Sequence, residues 1–237
     1  MSDFNRHDDF NGYQQEDALK RGSFAAHMTR VFGWMFFGLA MTAAVSYYTA
    51  VSSLRYLVSG PFVLLILFGA ELLLVWNLSK KAMHMRYENA AAAFVVYSGL
   101  NGLTLSMIFL RYNLGSIALA FMITSVFFGF FSLYGYITKQ DLTSWGSLLM
   151  FGLVGIILAT LVNFFLRSDS FMYILSYITV AVFLGLTAYD TQKIKHIYSA
   201  YAGTDKEKNI AILGALSLYL DFINLFLSIL RILNRRS

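Results

Sequence analysis

Apolar and polar positions divide the chain into long hydrophobic blocks and short polar connectors. The blocks cover residues 31–50, 61–78, 90–110, 114–137, 145–166, 171–189 and 210–233. Each is close to the roughly 20 residues that a helix needs to cross the hydrocarbon of a bilayer. A single segment buried in lipid must be helical, because only a helix satisfies its backbone N–H and C=O groups internally. The connectors, 52–60, 79–89, 111–113, 138–144, 167–170 and 191–209, are short enough to make neighbouring helices antiparallel. The pattern predicts an all-α integral membrane protein of seven transmembrane helices. It divides into a polar, flexible cytoplasmic tail (1–30), a membrane domain (31–233) and a basic C-terminal tail (234–237).

Composition agrees with the pattern. Apolar residues make up 58% of the chain and charged residues 13%, against roughly 45–50% and about 25% in a soluble domain. The chain has no cysteine, which removes disulfides, thiolate metal sites and cysteine nucleophiles. The net charge of +5 does not point to nucleic acid, because Lys and Arg gather at the ends of the blocks, where they set topology. Twelve of them fall on the side of the N-terminus and six on the other. The N-terminus is therefore expected in the cytoplasm and the C-terminus on the opposite face of a plasma (inner) membrane, with the bilayer as the protein's main partner.

An ionisable group at membrane depth is costly and marks a cavity, a partner or a pathway. Three such groups stand out: Glu71 in the second block, Asp190 at the end of the sixth and Asp221 inside the seventh. In an antiparallel hairpin, residues at equal depth have indices that sum to a constant. Asp190 and Asp221 are centred on the breaker-like segment Gly203-Thr204-Asp205-Lys206, so the two carboxyls are expected at one level, roughly 20 Å from the turn. Two carboxylates that meet in a low dielectric cannot both ionise cheaply, and such a pair holds one shared proton. A second reading stays open at this point: Asp190 faces the Lys193 and Lys195 headgroup layer while Asp221 hydrogen-bonds a neighbouring helix. Asn224, one turn beyond Asp221, and Asn163 in the fifth block are expected to line a polar interior or join helices.

The segments LSLYLDFINLFLSIL, from Leu216 to Leu230, and AYDTQKIKH, around Asp190, resemble the signature region of the transmembrane Bax inhibitor motif family, in particular its bacterial members. The resemblance covers the membrane portion. It implies a central C-terminal helix wrapped by two three-helix layers, and a calcium leak gated by pH through a hydrogen-bonded aspartate pair matching Asp190 and Asp221. Calcium is then the permeant ion, held transiently by those two carboxylates, and no cofactor is implied. Glu71 sits where relatives carry an acidic residue in the second span. Where the bacterial prototype has an arginine that latches to a carboxylate, this chain offers Lys80 or Lys81, which lack the bidentate fork of arginine. The resemblance also implies stress protection, and some bacterial relatives modulate a membrane-bound ATP-dependent protease, an alternative role that would use the N-terminal tail.

Enzymatic readings fare poorly against the motifs. An intramembrane aspartyl protease needs Gly-x-Gly before its second aspartate and a Pro-Ala-Leu element. Here Leu218-Tyr219-Leu220 precedes Asp221 and the single proline is Pro61. Ser98 has no catalytic histidine in any span, and no lysine lies inside the last span to form a retinal Schiff base. The chain is expected not to be an enzyme.

Overall fold

The computed structural model describes the backbone of residues 3–234 and the side chains of residues 23–234. The described chain is helical, with helices α1 (Asp3–Val51), α2 (Leu54–Val58), α3 (Pro61–Lys81), α4 (Tyr87–Arg111), α5 (Leu114–Ile137), α6 (Thr143–Leu166), α7 (Asp169–Tyr201) and α8 (Glu207–Leu233). A 3₁₀ turn, Ala82–His84, follows α3. Seven of these helices are long and apolar enough to span a membrane.

Local chemistry sets several boundaries. Pro61 opens α3, where its missing N–H has no helical partner to lose. The Asn113 side chain caps α5 by accepting from the Ser116 amide at 2.8 Å. Ser168 caps α7 by accepting from the Phe171 amide at 3.2 Å. Between α6 and α7 the chain reverses through Arg167, a non-glycine residue in the left-handed region (φ 51°). Asn163 Oδ1 accepts from the Ser168 amide there, at 3.2 Å. Asn163 therefore closes its own helix instead of lining a shared interior.

Two boundaries differ from the hydropathy pattern. Helix α1 is already buried ahead of residue 31, because Phe24, Met28 and Val31 recur at helical spacing and are buried. The side chains of residues 3–22, and with them the flexible tail, lie outside the described residues. The sixth span does not stop at residue 189, since α7 continues three turns further to Tyr201. Its continuation is amphipathic: Thr191, Ile194 and Tyr198 are buried while Lys193, Lys195 and His196 are exposed. The connector to α8 shrinks to Ala202–Lys206, in which Gly203 takes the positive φ of 75° that glycine tolerates.

The core is organised around α8. It packs against α1, α4, α5 and α7, while α3 rests on α4 and α6 on α7. Its buried residues occupy nearly every turn, from Asn209 through Leu230, which explains why this helix is apolar on all sides. The outer helices α3 and α6 show large exposed apolar side chains, among them Phe62, Leu73, Phe151 and Phe164. Lipid is the solvent that such surfaces fit. Close helix contacts depend on glycine, as at Gly135 of α5, where a Cβ would overlap the backbone carbonyl of Ala188 on α7.

Candidate functional site

Asp221 sits on the central helix, 4% exposed, and its Oδ2 is buried without a hydrogen-bond partner. Asp190 approaches it from α7. Each is the interior residue of a helix that reaches the Ala202–Lys206 turn, roughly 17 Å and 21 Å along the axis at 1.5 Å per residue, so the hairpin brings them to similar depth. The two carboxyls act on each other electrostatically, and the Lys193 ammonium acts on both. Ser217, one turn before Asp221, lies within hydrogen-bonding reach of Asp190. The proximity follows from the spacing: residues 214, 217 and 221 share one stripe of α8, which faces the Asp190 turn of α7.

A cavity of about 270 Å³ reaches Asp190 but not Asp221; Ser79, Lys193, Gly214 and Ser217 line it together with isoleucine and leucine side chains of α7 and α8. Ser79 and Lys193 are exposed, so the cavity leads from the membrane boundary inward to the Asp190 carboxyl. Gly214 lets α8 pack closely on α7 at this wall, since a Cβ there would press on the Ile194 side chain at 3.0 Å. Among the described residues, no three His, Cys, Asp or Glu side chains converge.

The lysines of α3 do not reach this site. The Lys80 ammonium lies 3.7 Å over the Trp76 ring and both Lys80 and Lys81 are exposed. Lys193, not Lys80 or Lys81, is the cation beside the carboxyls. Asn224 likewise turns away, for its Nδ2 donates to the Leu220 carbonyl of its own helix at 2.8 Å.

Glu71 lies apart from the aspartates in a polar network of its own. It is buried at the middle of α3 and accepts from Thr104 Oγ1 at 2.6 Å and Asn101 Nδ2 at 3.3 Å. Asn101 Oδ1 in turn accepts from the Tyr219 hydroxyl at 3.0 Å. That hydroxyl is 2.6 Å from Thr42 Oγ1, which also reaches the Ser98 carbonyl at 2.9 Å. Four helices, α1, α3, α4 and α8, meet in this network. Sequence reasoning singles out Glu71 alone. A signal for Asn101 existed, because an amide inside an apolar block is as unusual as Asn163 or Asn224, but a buried Thr or Tyr gives none.

The family model described as "Inhibitor of apoptosis-promoting Bax1" matches residues 25–237. "Inner membrane protein YbhL" of Escherichia coli (strain K12) is 46% identical over 220 residues, covering 91% of this chain and 94% of that protein. An uncharacterized protein of Borreliella burgdorferi is 40% identical over 94% of this chain and 96% of its own length. Another, from Deinococcus radiodurans, is 39% identical over 88% and 90% respectively.

Proposed function

The chain belongs to the family of inhibitors of apoptosis-promoting Bax1, and from that premise we propose that it is a pH-sensitive, calcium-permeable leak channel gated by Asp190 and Asp221. Its seven apolar spans and its inner-membrane relative make it a multi-pass membrane protein of the bacterial inner-membrane type. The observation that carries the channel reading is the unpartnered Oδ2 of Asp221 on the central helix, beside Asp190 at the wall of a cavity that opens at the Lys193 end. A buried carboxylate oxygen normally finds a donor. One that lacks a donor, next to a second carboxyl, is a place for a shared proton or a passing cation.

Proton and calcium then compete for the same pair. With the pair ionised, two negative charges draw a divalent cation to the end of the cavity. With a proton shared, the charge falls and the contact between α7 and α8 changes. Lys193 supplies the positive charge that limits how long a cation stays, a role compatible with conduction, in which binding must be weak enough for release. The N-terminus lies in the cytoplasm in this reading, and the cavity opens to that side.

The test is calcium flux into liposomes that hold the purified protein, measured at several pH values. Flux is expected to change within about two units of neutral pH. Flux equal to that of empty liposomes at every pH would remove the channel reading and leave a membrane protein acting through partners.

A further inference from the structure

The hydroxyl and amide groups around Glu71 do not have enough protons for their contacts. Four contacts run in series: Glu71 to Asn101, Asn101 to Tyr219, Tyr219 to Thr42, and Thr42 to the Ser98 carbonyl. With Glu71 ionised, Asn101 must turn its NH₂ toward the carboxylate and its oxygen toward Tyr219. Tyr219 then gives its one proton to Asn101. Thr42 has one proton for two acceptors, the Tyr219 oxygen and the Ser98 carbonyl, and one buried contact goes unmade.

A single added proton on Glu71 removes the shortage. The carboxylic acid donates to Asn101 Oδ1 after the side-chain amide rotates by about half a turn, which exchanges its N and O in nearly the same space. Asn101 Nδ2 then donates to the Tyr219 oxygen, Tyr219 to Thr42, and Thr42 to the Ser98 carbonyl. Every contact has its proton, and every donor has reversed or settled its direction. The 3.0 Å between Asn101 and Tyr219 suits either orientation, while the 3.3 Å between Asn101 and Glu71 is long for an O–H···O bond and must shorten when the acid donates.

We propose that Glu71 is a second proton-binding site of this protein, and that the central helix reads its state through rotation of the Asn101 side-chain amide. The site is at the middle of α3 and buried, so it lies at the depth where an unbalanced charge is most costly. The charged and titratable groups around it are few. Tyr97 of α4 and Tyr219 of α8 feel its charge, and α1 contributes the neutral Thr42. Arg55 of α2 is engaged with the Tyr56 hydroxyl at 2.7 Å, and His84 of the following turn is exposed. Among the described residues, no ion pair includes Glu71.

The consequence reaches α8. A proton on Glu71 turns the Tyr219 hydroxyl from Asn101 on α4 toward Thr42 on α1, two positions before Asp221 in the same helix. The inference does not rest on the aspartate pair, and it is tested without flux. Infrared titration of the lipid-reconstituted protein from about pH 4 to about pH 9 reads both ends of the relay. Wild type minus Glu71→Gln isolates the carbonyl stretch of the protonated acid, and wild type minus Tyr219→Phe isolates the phenol band. The Tyr219 band is expected to move in the same pH step in which the Glu71 carbonyl band grows, and to stay fixed in Glu71→Gln. Tyr219→Phe is expected to keep the Glu71 band and shift its midpoint by about half a unit or more. Should Glu71→Gln not fold, Glu71→Asp takes its place in the difference spectra, and Tyr219→Trp does so for Tyr219→Phe. Absence of a midpoint shift when the Tyr219 hydroxyl is removed, or a Tyr219 band that moves equally when Glu71 is replaced, overturns the proposal. So does the absence of any Glu71-dependent carbonyl band across the range.

Discussion

Lys193 is the residue whose role changes most between sequence and structure. In the sequence it is one of several basic residues at a helix end, and the latch is expected from Lys80 or Lys81. In the structure Lys80 is spent on the Trp76 ring, whereas Lys193 shares a cavity with Asp190. Removing its charge makes a second negative charge beside it harder to hold. Lys193→Gln is therefore expected to move the pH response of calcium flux toward alkaline pH by about half a unit to one unit, while Lys80→Gln leaves it in place. Flux titrations of both variants check this, and an equal response from the two would assign Lys193 to topology alone. Asp190, Asp221 and Glu71 are legible in the sequence because a charge among apolar neighbours is rare. Asn101 leaves a weaker signal as an amide inside an apolar block, and Thr42, Thr104 and Tyr219 leave none, because their meaning lies in contacts across four helices that no local pattern encodes.

Helices α5, α6 and α7 show where periodicity succeeds and where hydropathy misleads. The bounds of α5, Leu114–Ile137, match the apolar block residue for residue. Hydropathy places the end of α7 about three turns early, because Gln192, Lys193, Lys195 and His196 lower the mean without breaking the helical repeat of buried Thr191, Ile194 and Tyr198. The symmetry of the hairpin survives that error, since it depends on the turn and not on the boundary. Packing between α5 and α7 gives a prediction of its own. Gly135→Ala places a Cβ against the Ala188 carbonyl, backbone that cannot step aside, and is expected to destabilise by more than about 2 kcal/mol. Gly129→Ala, on the same helix with nothing near its added Cβ, is expected to be neutral or to stabilise by up to about 1 kcal/mol. Thermal stability of the two variants in detergent, read by loss of the monodisperse peak, separates them. Equal midpoints would mean that the α5–α7 contact is looser than the structure shows.

Among the described residues seven helices are long and apolar enough to cross a membrane, and with all seven crossing the two ends are expected on opposite faces. The excess of Lys and Arg on the side of the N-terminus sets the expected direction, with the N-terminus in the cytoplasm. Reporter fusions at both ends test this, and the same compartment at both ends would require one of the seven helices not to cross. Because α8 packs against α1, α4, α5 and α7, a change at Asp221 or Tyr219 is felt across the bundle. That central placement is implied by the family resemblance, but its contacts are not legible from sequence. Calcium flux against pH in liposomes, for wild type and Asp221→Asn side by side, addresses the gating claim most directly. The asparagine keeps the shape of the side chain but cannot titrate, so gating by the pair predicts a folded protein whose flux no longer varies with pH. A variant that folds and retains the wild-type pH response would contradict it.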